Sequence, residues 1–152
     1  KTFETYNPHN GAVIAKVAEG DEADINLAVS AAKRAFHRNS EWRLMDATER
    51  VKLLNKFADL VLRDAEYLSA LETYNNGMVI SMSKILIPRV IETIRYLASL
   101  ADKVQGDTLP AGGDIFAYTL KQPVGVCGLI LPWNVPINMF VNKVVTALAA
   151  GN

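Results

Sequence analysis

The chain has 152 residues, half of them hydrophobic and 21% charged, and its 16 basic and 16 acidic side chains balance to a formal charge of zero. Neutrality gives no argument for nucleic acid or an anionic membrane surface as partner, and no apolar run reaches the roughly 18 residues a membrane-spanning helix needs. The single cysteine excludes an internal disulfide and favours a reducing compartment, and no basic-then-apolar leader is visible.

Thr2 to Tyr6 alternates polar and aromatic residues, and "NPHNG" comes next with two turn dipeptides. With residues 12–17 this predicts a short edge hairpin. Ile25, Ala28, Val29, Ala32, Ala35 and Phe36 keep helical spacing. Asp21 is the expected N-cap, acids fill the first turn, and the helix should end near 37–40. "DATE" at 46–49 reads as a capping box before the stripe Val51, Leu54, Phe57, Ala58 and Val61. Asp64 is placed to cap a further helix through Tyr67, Leu68 and Leu71, which stops at "NNG". The next helix carries Val90, Ile91, Ile94, Leu97, Ala98 and Ala101. Pro88 is expected in its first turn, where a missing N–H costs nothing. "MVISMSKILI" before it is open between helix and strand.

Beyond Gly106 the period changes. "DTLPAGGDIFAYTLKQ" places a turn at 110–114 and alternation over 115–122, the pattern of a second hairpin or extended arm. Residues 124–131 are almost continuously apolar and rich in β-branched side chains. Such a run suits a central parallel strand buried on both faces. Pro136 is the expected N1 of the last helix, with Ile137, Phe140, Val141, Val144, Val145 and Leu148 facing inward and Gly151 as its stop. One strand–helix unit cannot make a parallel sheet. The start at Lys1 without a methionine and the close on "TALAAGN" read as a segment of a longer protein, with the missing strands expected beyond Asn152.

Cys127 invites a nucleophile reading, but it sits mid-run in "VGVCGLIL" without a basic neighbour to activate it, so a packing role is expected. His9 and His37 lack companions at metal-ligand spacing, and no metal site is expected. "GVCG" is not a dinucleotide fingerprint, because it does not extend to G-x-G-x-x-G. "PWN" differs in position: it lies between the carboxyl end of the apolar run and a helix, the crevice where open α/β sheets bind ligands. The Asn134 amide beside a helix N-terminus is a candidate oxyanion donor. Its bland reading is a turn residue, with Trp133 covering the edge of a core.

"PVGVCGLILPWNVP" at 123–136 closely resembles the strand-and-loop motif of NAD(P)-dependent aldehyde dehydrogenases, and "ALAAGN" at 147–152 resembles the next conserved-looking stretch of that motif's helix. "AEGDEADINLAVSAAKRAF", "WRLMDATERVKLLNKFADLV" and "LSALETYNNG" resemble the same family in order, closest to its cytosolic, retinal-type and mitochondrial class. The resemblance covers nearly the whole chain. It implies the N-terminal part of an aldehyde-dehydrogenase-like α/β fold: a hairpin and helical part over 1–105, an oligomerisation arm over 106–122, and the first strand, loop and helix of a Rossmann-like sheet over 123–152.

The resemblance implies that Leu131, Pro132, Trp133 and Asn134 approach the nicotinamide of NAD or NADP, NAD being favoured. It implies that Asn134 binds the oxyanion of a thiohemiacetal as an aldehyde is oxidised to an acid. Lys143 matches a lysine usual in the helix after the loop. The family's cysteine nucleophile and general-base glutamate correspond to positions beyond Asn152, so this segment alone is not expected to complete the reaction. Val135, Asn138, Met139 and Asn142 fall at substrate-tunnel positions. Val135 replaces a common phenylalanine, Asn142 a frequent tryptophan and Asn138 an apolar residue, and "NNGMV" stands where "DNGKP" is usual. The resemblance further implies a dimer or tetramer in the cytoplasm, a mitochondrial address remaining open. The alternatives are an inactive, crystallin-like member of the family and a naturally short binding fragment.

Overall fold

A computed structural model describes all of residues 1–152. β1 (Thr2–Tyr6) and β2 (Val13–Ala18) pair antiparallel, with Thr2 opposite Ala18. The turn closes through Asn7: its N–H donates to the Ala12 carbonyl at 2.8 Å, and its side chain accepts from the His9 N–H at 2.9 Å. Gly11 supplies the positive φ of 70° that the turn requires.

α1 (Glu22–Ala35) starts on a full capping box, with Asp21 accepting from Ala23 and Asp24 and the Asp24 carboxylate accepting from the Asp21 N–H. Its apolar stripe is largely uncovered. Ile25 is 63% exposed, and only Val29 and Ala32, with Phe36 just past the end, are half-buried. After the single turn α2 (Glu41–Leu44), α3 (Ala47–Arg63) buries Leu54, Ala58 and Val61 as its spacing predicts. The expected capping box at "DATE" does not form. Asp46 occupies the cap position without a side-chain bond, and Glu49 pairs with Lys52 at 2.6 Å instead.

α4 (Ala65–Asn76) comes directly after it. Asp64 does not cap it, because its carboxylate is bidentate to Arg63 at 2.7 and 3.0 Å. The buried face also differs from expectation: Tyr67 and Leu71 are exposed, whereas Ser69 and Glu72 are buried. Ser69 bonds back to the Ala65 carbonyl within α4, and a polar contact reaches the next helix where the Thr73 and Ser83 hydroxyls meet at 2.9 Å. Gly77 ends α4 in the left-handed region, at φ 81°.

α5 (Ile80–Leu100) resolves "MVISMSKILI" as helix and moves Pro88 from the expected first turn to the interior. The Lys84 carbonyl thereby loses its donor four residues on. Lys84 and Pro88 are both exposed, so water can take the place of that N–H. The opposite face buries Ile87, Val90, Ile91, Ile94 and Ala98. No helix is long and apolar enough to cross a membrane.

The second hairpin is shorter than the alternation suggests. β3 (Thr108–Leu109) pairs antiparallel with β4 (Ala117–Tyr118) over two residues each. Its base is tight: a Cβ on Gly106 would fall 1.9 Å from the Thr119 carbonyl oxygen. Residues 124–131 form no strand, because no neighbouring strand borders them within this chain. Val124 is 90% and Ile130 86% exposed. Cys127 is exposed as well, against the expectation of packing. The final helix begins with Pro136 at N1 as expected. It runs as α6 (Pro136–Phe140), a π-helical turn over Val141–Val145, and α7 (Thr146–Ala149). Val141, Val145 and Ala149 join the residues of α3 and α5 in one core, while Phe140 stays partly exposed. Gly151 stops the helix at φ 83°.

Candidate functional site

The "PWN" loop hangs between the end of the apolar run and the start of α6. Each end is tied. At the near end the Lys143 ammonium, in the π-helical turn, donates to the Ile130 carbonyl. At the far end the Asn76 Nδ2 donates to the Asn134 carbonyl at 3.1 Å. Between these ties Pro132, Trp133 and Asn134 are exposed. The Asn134 side-chain amide bonds to nothing in the chain, so both its N–H donors are free.

Val135 stands at the N-cap of α6 with no side-chain acceptor, and the helix starts on the bond from the Met139 N–H to the Val135 carbonyl at 3.0 Å. The first-turn N–H groups are therefore uncapped by their own sequence. The Asn134 amide lies at the start of this helix, whose dipole favours negative charge, although Pro136 offers no N–H, Met139 bonds to Val135 and the Ile137 N–H faces Glu72.

Glu72 lies beneath this turn. It is 6% exposed, and its Oε1 has no hydrogen-bond partner. Burial pushes its carboxyl pKa upward, against the opposing influence of the Ile137 N–H and the Asn76 side chain. Neither group completes a bond to Oε1.

Val135, Asn138, Met139 and Asn142 recur at helical spacing and are half-buried except for Asn142, which is exposed. The structure joins two of them directly: Asn142 Nδ2 donates to the Asn138 carbonyl at 2.8 Å and to its Oδ1 at 3.1 Å. Leu131, Pro132, Trp133 and Asn134 are contiguous on the outer side of the loop. Cys127 donates to the Gly125 carbonyl and bonds to no histidine or cation. His9 and His37 sit in the hairpin turn and past the end of α1, and no group of three acidic, histidine or cysteine side chains could hold a metal. Sequence reasoning missed Glu72 and Asn76. Their signal was available in "ETYNNG", where the two stand one helical turn apart at a helix end, but that stretch reads first as a helix stop.

A helical layer, two edge hairpins and an apolar run delivering an exposed loop to a helix start define a mixed helix-and-strand chain. Comparison with known proteins narrows the class. A model of the aldehyde dehydrogenase family matches residues 1–152, and the chain belongs to that family. It is 51% identical over its whole length to mitochondrial aldehyde dehydrogenase of Homo sapiens and 50% identical to aldehyde dehydrogenase 1A1 of Gallus gallus. It spans 30% of the length of each of these relatives. Among solved structures, the NAD+ complex of an aldehyde dehydrogenase from Bacillus cereus superposes with a TM-score of 0.95 at 42% identity, over 99% of this chain and 31% of that one.

Proposed function

We propose that this chain is the N-terminal part of an NAD(P)-dependent aldehyde dehydrogenase in which Asn134 supplies an oxyanion donor. The observation that carries the reading is the free Asn134 amide beside the uncapped start of α6, on a loop anchored at both ends. In the proposed reaction a cysteine thiolate from outside these residues adds to the aldehyde carbon, and the carbonyl oxygen becomes an oxyanion. The Asn134 N–H donates to that oxygen. The carbon–hydrogen bond then breaks as carbonyl character returns, leaving a thioester that water hydrolyses to the acid and the free thiol. NAD(P)+ supplies the hydride acceptor.

The exposed surface of Leu131 to Asn134 fits a nicotinamide: an apolar edge at Leu131 and Pro132, and an indole at Trp133 that is 81% exposed. The Asn138–Asn142 pair gives the substrate side a polar wall where the family's pattern has larger apolar groups. This favours an aldehyde with a polar substituent near the carbonyl. Ile115, Phe116, Tyr118 and Leu120 are exposed along the second hairpin, which supports its docking on a neighbouring subunit of a dimer or tetramer. A cytoplasmic location belongs to the same reading. The crystallin-like alternative has no observation of its own in its favour.

The test is to incubate a full-length protein carrying this segment with aldehydes of graded polarity and NAD+ or NADP+. Reduced cofactor and acid are expected in equal amounts. Absence of both with every aldehyde and both cofactors would contradict the reading.

A further inference from the structure

As it takes a hydrogen bond from Lys143 at its Ile130 end, the loop takes one at its Asn134 end from the last turn of α4. Asn76 stands at that end with both halves of its amide engaged. Its Oδ1 accepts from the Met78 N–H at 2.8 Å. This contact fixes the orientation of the amide, since the oxygen must face Met78 and the Nδ2 is left to face the loop. There it donates to the Asn134 carbonyl at 3.1 Å, across 58 residues of sequence. One turn earlier Glu72 is buried with the Ile137 N–H facing its carboxyl, which places the end of α4 beside the start of α6.

We propose that Asn76 is a positioning residue for Asn134: its amide holds the Asn134 peptide so that the adjoining side chain is presented at the start of α6. This rests on the oxyanion reading above and deepens it. The physical reason is local. The Asn134 carbonyl and side chain branch from the same Cα, so rotating the peptide swings the amide donor. Donors stabilise an oxyanion only when aimed at it beforehand, and a misplacement of about 1 Å can cost on the order of 100-fold in rate. Trp133 and Asn134 are exposed, and besides the α6 start at Val135 the Asn76 amide is the contact that holds the Asn134 peptide.

The informative variant in the full-length protein is Asn76→Asp. It keeps the acceptor for the Met78 N–H and the side-chain size and removes the donor to Asn134, but it also sets a carboxylate near Glu72, which Asn76→Ala does not. Asn76→Ala serves as a second variant should the first fail to fold. The single-turnover rate of cofactor reduction is expected to fall roughly 10- to 100-fold in both variants, while cofactor affinity stays near the parent's. The decisive readout is coupling to Asn134: the double variant Asn76→Asp/Asn134→Ala should be no slower than Asn134→Ala alone. A merely structural role would multiply the two losses. A parental rate for Asn76→Asp, or multiplied losses, would overturn the proposal while leaving the oxyanion reading intact. A parental rate for Asn134→Ala would overturn both.

Discussion

Asn134 and Cys127 show how far individual residues could be read. The position of Asn134 was legible from its neighbours in sequence: an apolar run ends, a proline starts a helix, and a short exposed amide is left at the junction. Cys127 was misjudged on burial because burial is not local. An apolar run is buried only when other strands flank it, and none does so within these residues. The burial of Glu72 was not legible, since a carboxylate at a helical position reads as a solvated face until the packing is seen. Its folded pKa is raised above the ordinary 4.5, mainly by burial. The contribution of Glu72 to stability is therefore fullest below about pH 4.5 and is lost as pH rises through the folded value. Glu72→Gln, which keeps the shape without the charge, is expected to raise the melting temperature at neutral pH. The gain should shrink as the pH falls toward 4.5. A melting temperature at pH 7.5 below that of the parent would show that the ionised carboxylate is stabilised by its surroundings.

Helices and hairpins were found where short-range signals control them. The Asp21 cap, the Asn7–Gly11 turn, the Gly77 and Gly151 stops and the Pro136 start all lie at their expected places. The failures share another cause, competition for a side chain or backbone group. Arg63 and Lys52 take the carboxylates of Asp64 and Glu49 that were expected to cap. The packing of α5 holds Pro88 inside the helix although its ring removes a donor. Restoring that donor in Pro88→Ala is expected to stabilise the protein, by up to about 3 kcal/mol, read as a higher denaturation midpoint. A lower midpoint would mean that the proline ring contributes more to stability than the missing donor costs. The π-helical turn at Val141–Val145 has no signature in a pattern of apolar residues that suits an ordinary helix equally well. In the second hairpin, Gly106→Ala would drive a methyl into the Thr119 carbonyl. That hairpin should then open and become a preferred site of limited proteolysis, and an unchanged cleavage pattern would contradict the tight base described for it.

Across the chain, 17 of 152 residues are buried although half are hydrophobic. The core joins α3, α5 and the C-terminal helix, and exposed apolar side chains occur on the other faces, among them α1, the second hairpin and the 124–131 run. Ala32, Phe36, Val126, Leu129, Val144 and Leu148 line an apolar groove between α1, that run and the last helix. In the proposed enzyme these faces meet the rest of the polypeptide or a second subunit. The hairpin face is expected to be the subunit contact, so Phe116→Glu should shift a full-length dimer or tetramer toward smaller species in sedimentation velocity. Unchanged sedimentation would assign that face elsewhere.

The central claim is that Asn134 stabilises an oxyanion during aldehyde oxidation. It is tested most directly by single-turnover cofactor reduction with Asn134→Ala in the full-length protein, alongside cofactor binding measured by fluorescence. The account expects the rate to fall by on the order of 100- to 1,000-fold, about 3 to 4 kcal/mol of transition-state stabilisation, with cofactor affinity within a few-fold of the parent's. An unchanged rate, or a loss that saturating cofactor restores, would contradict it.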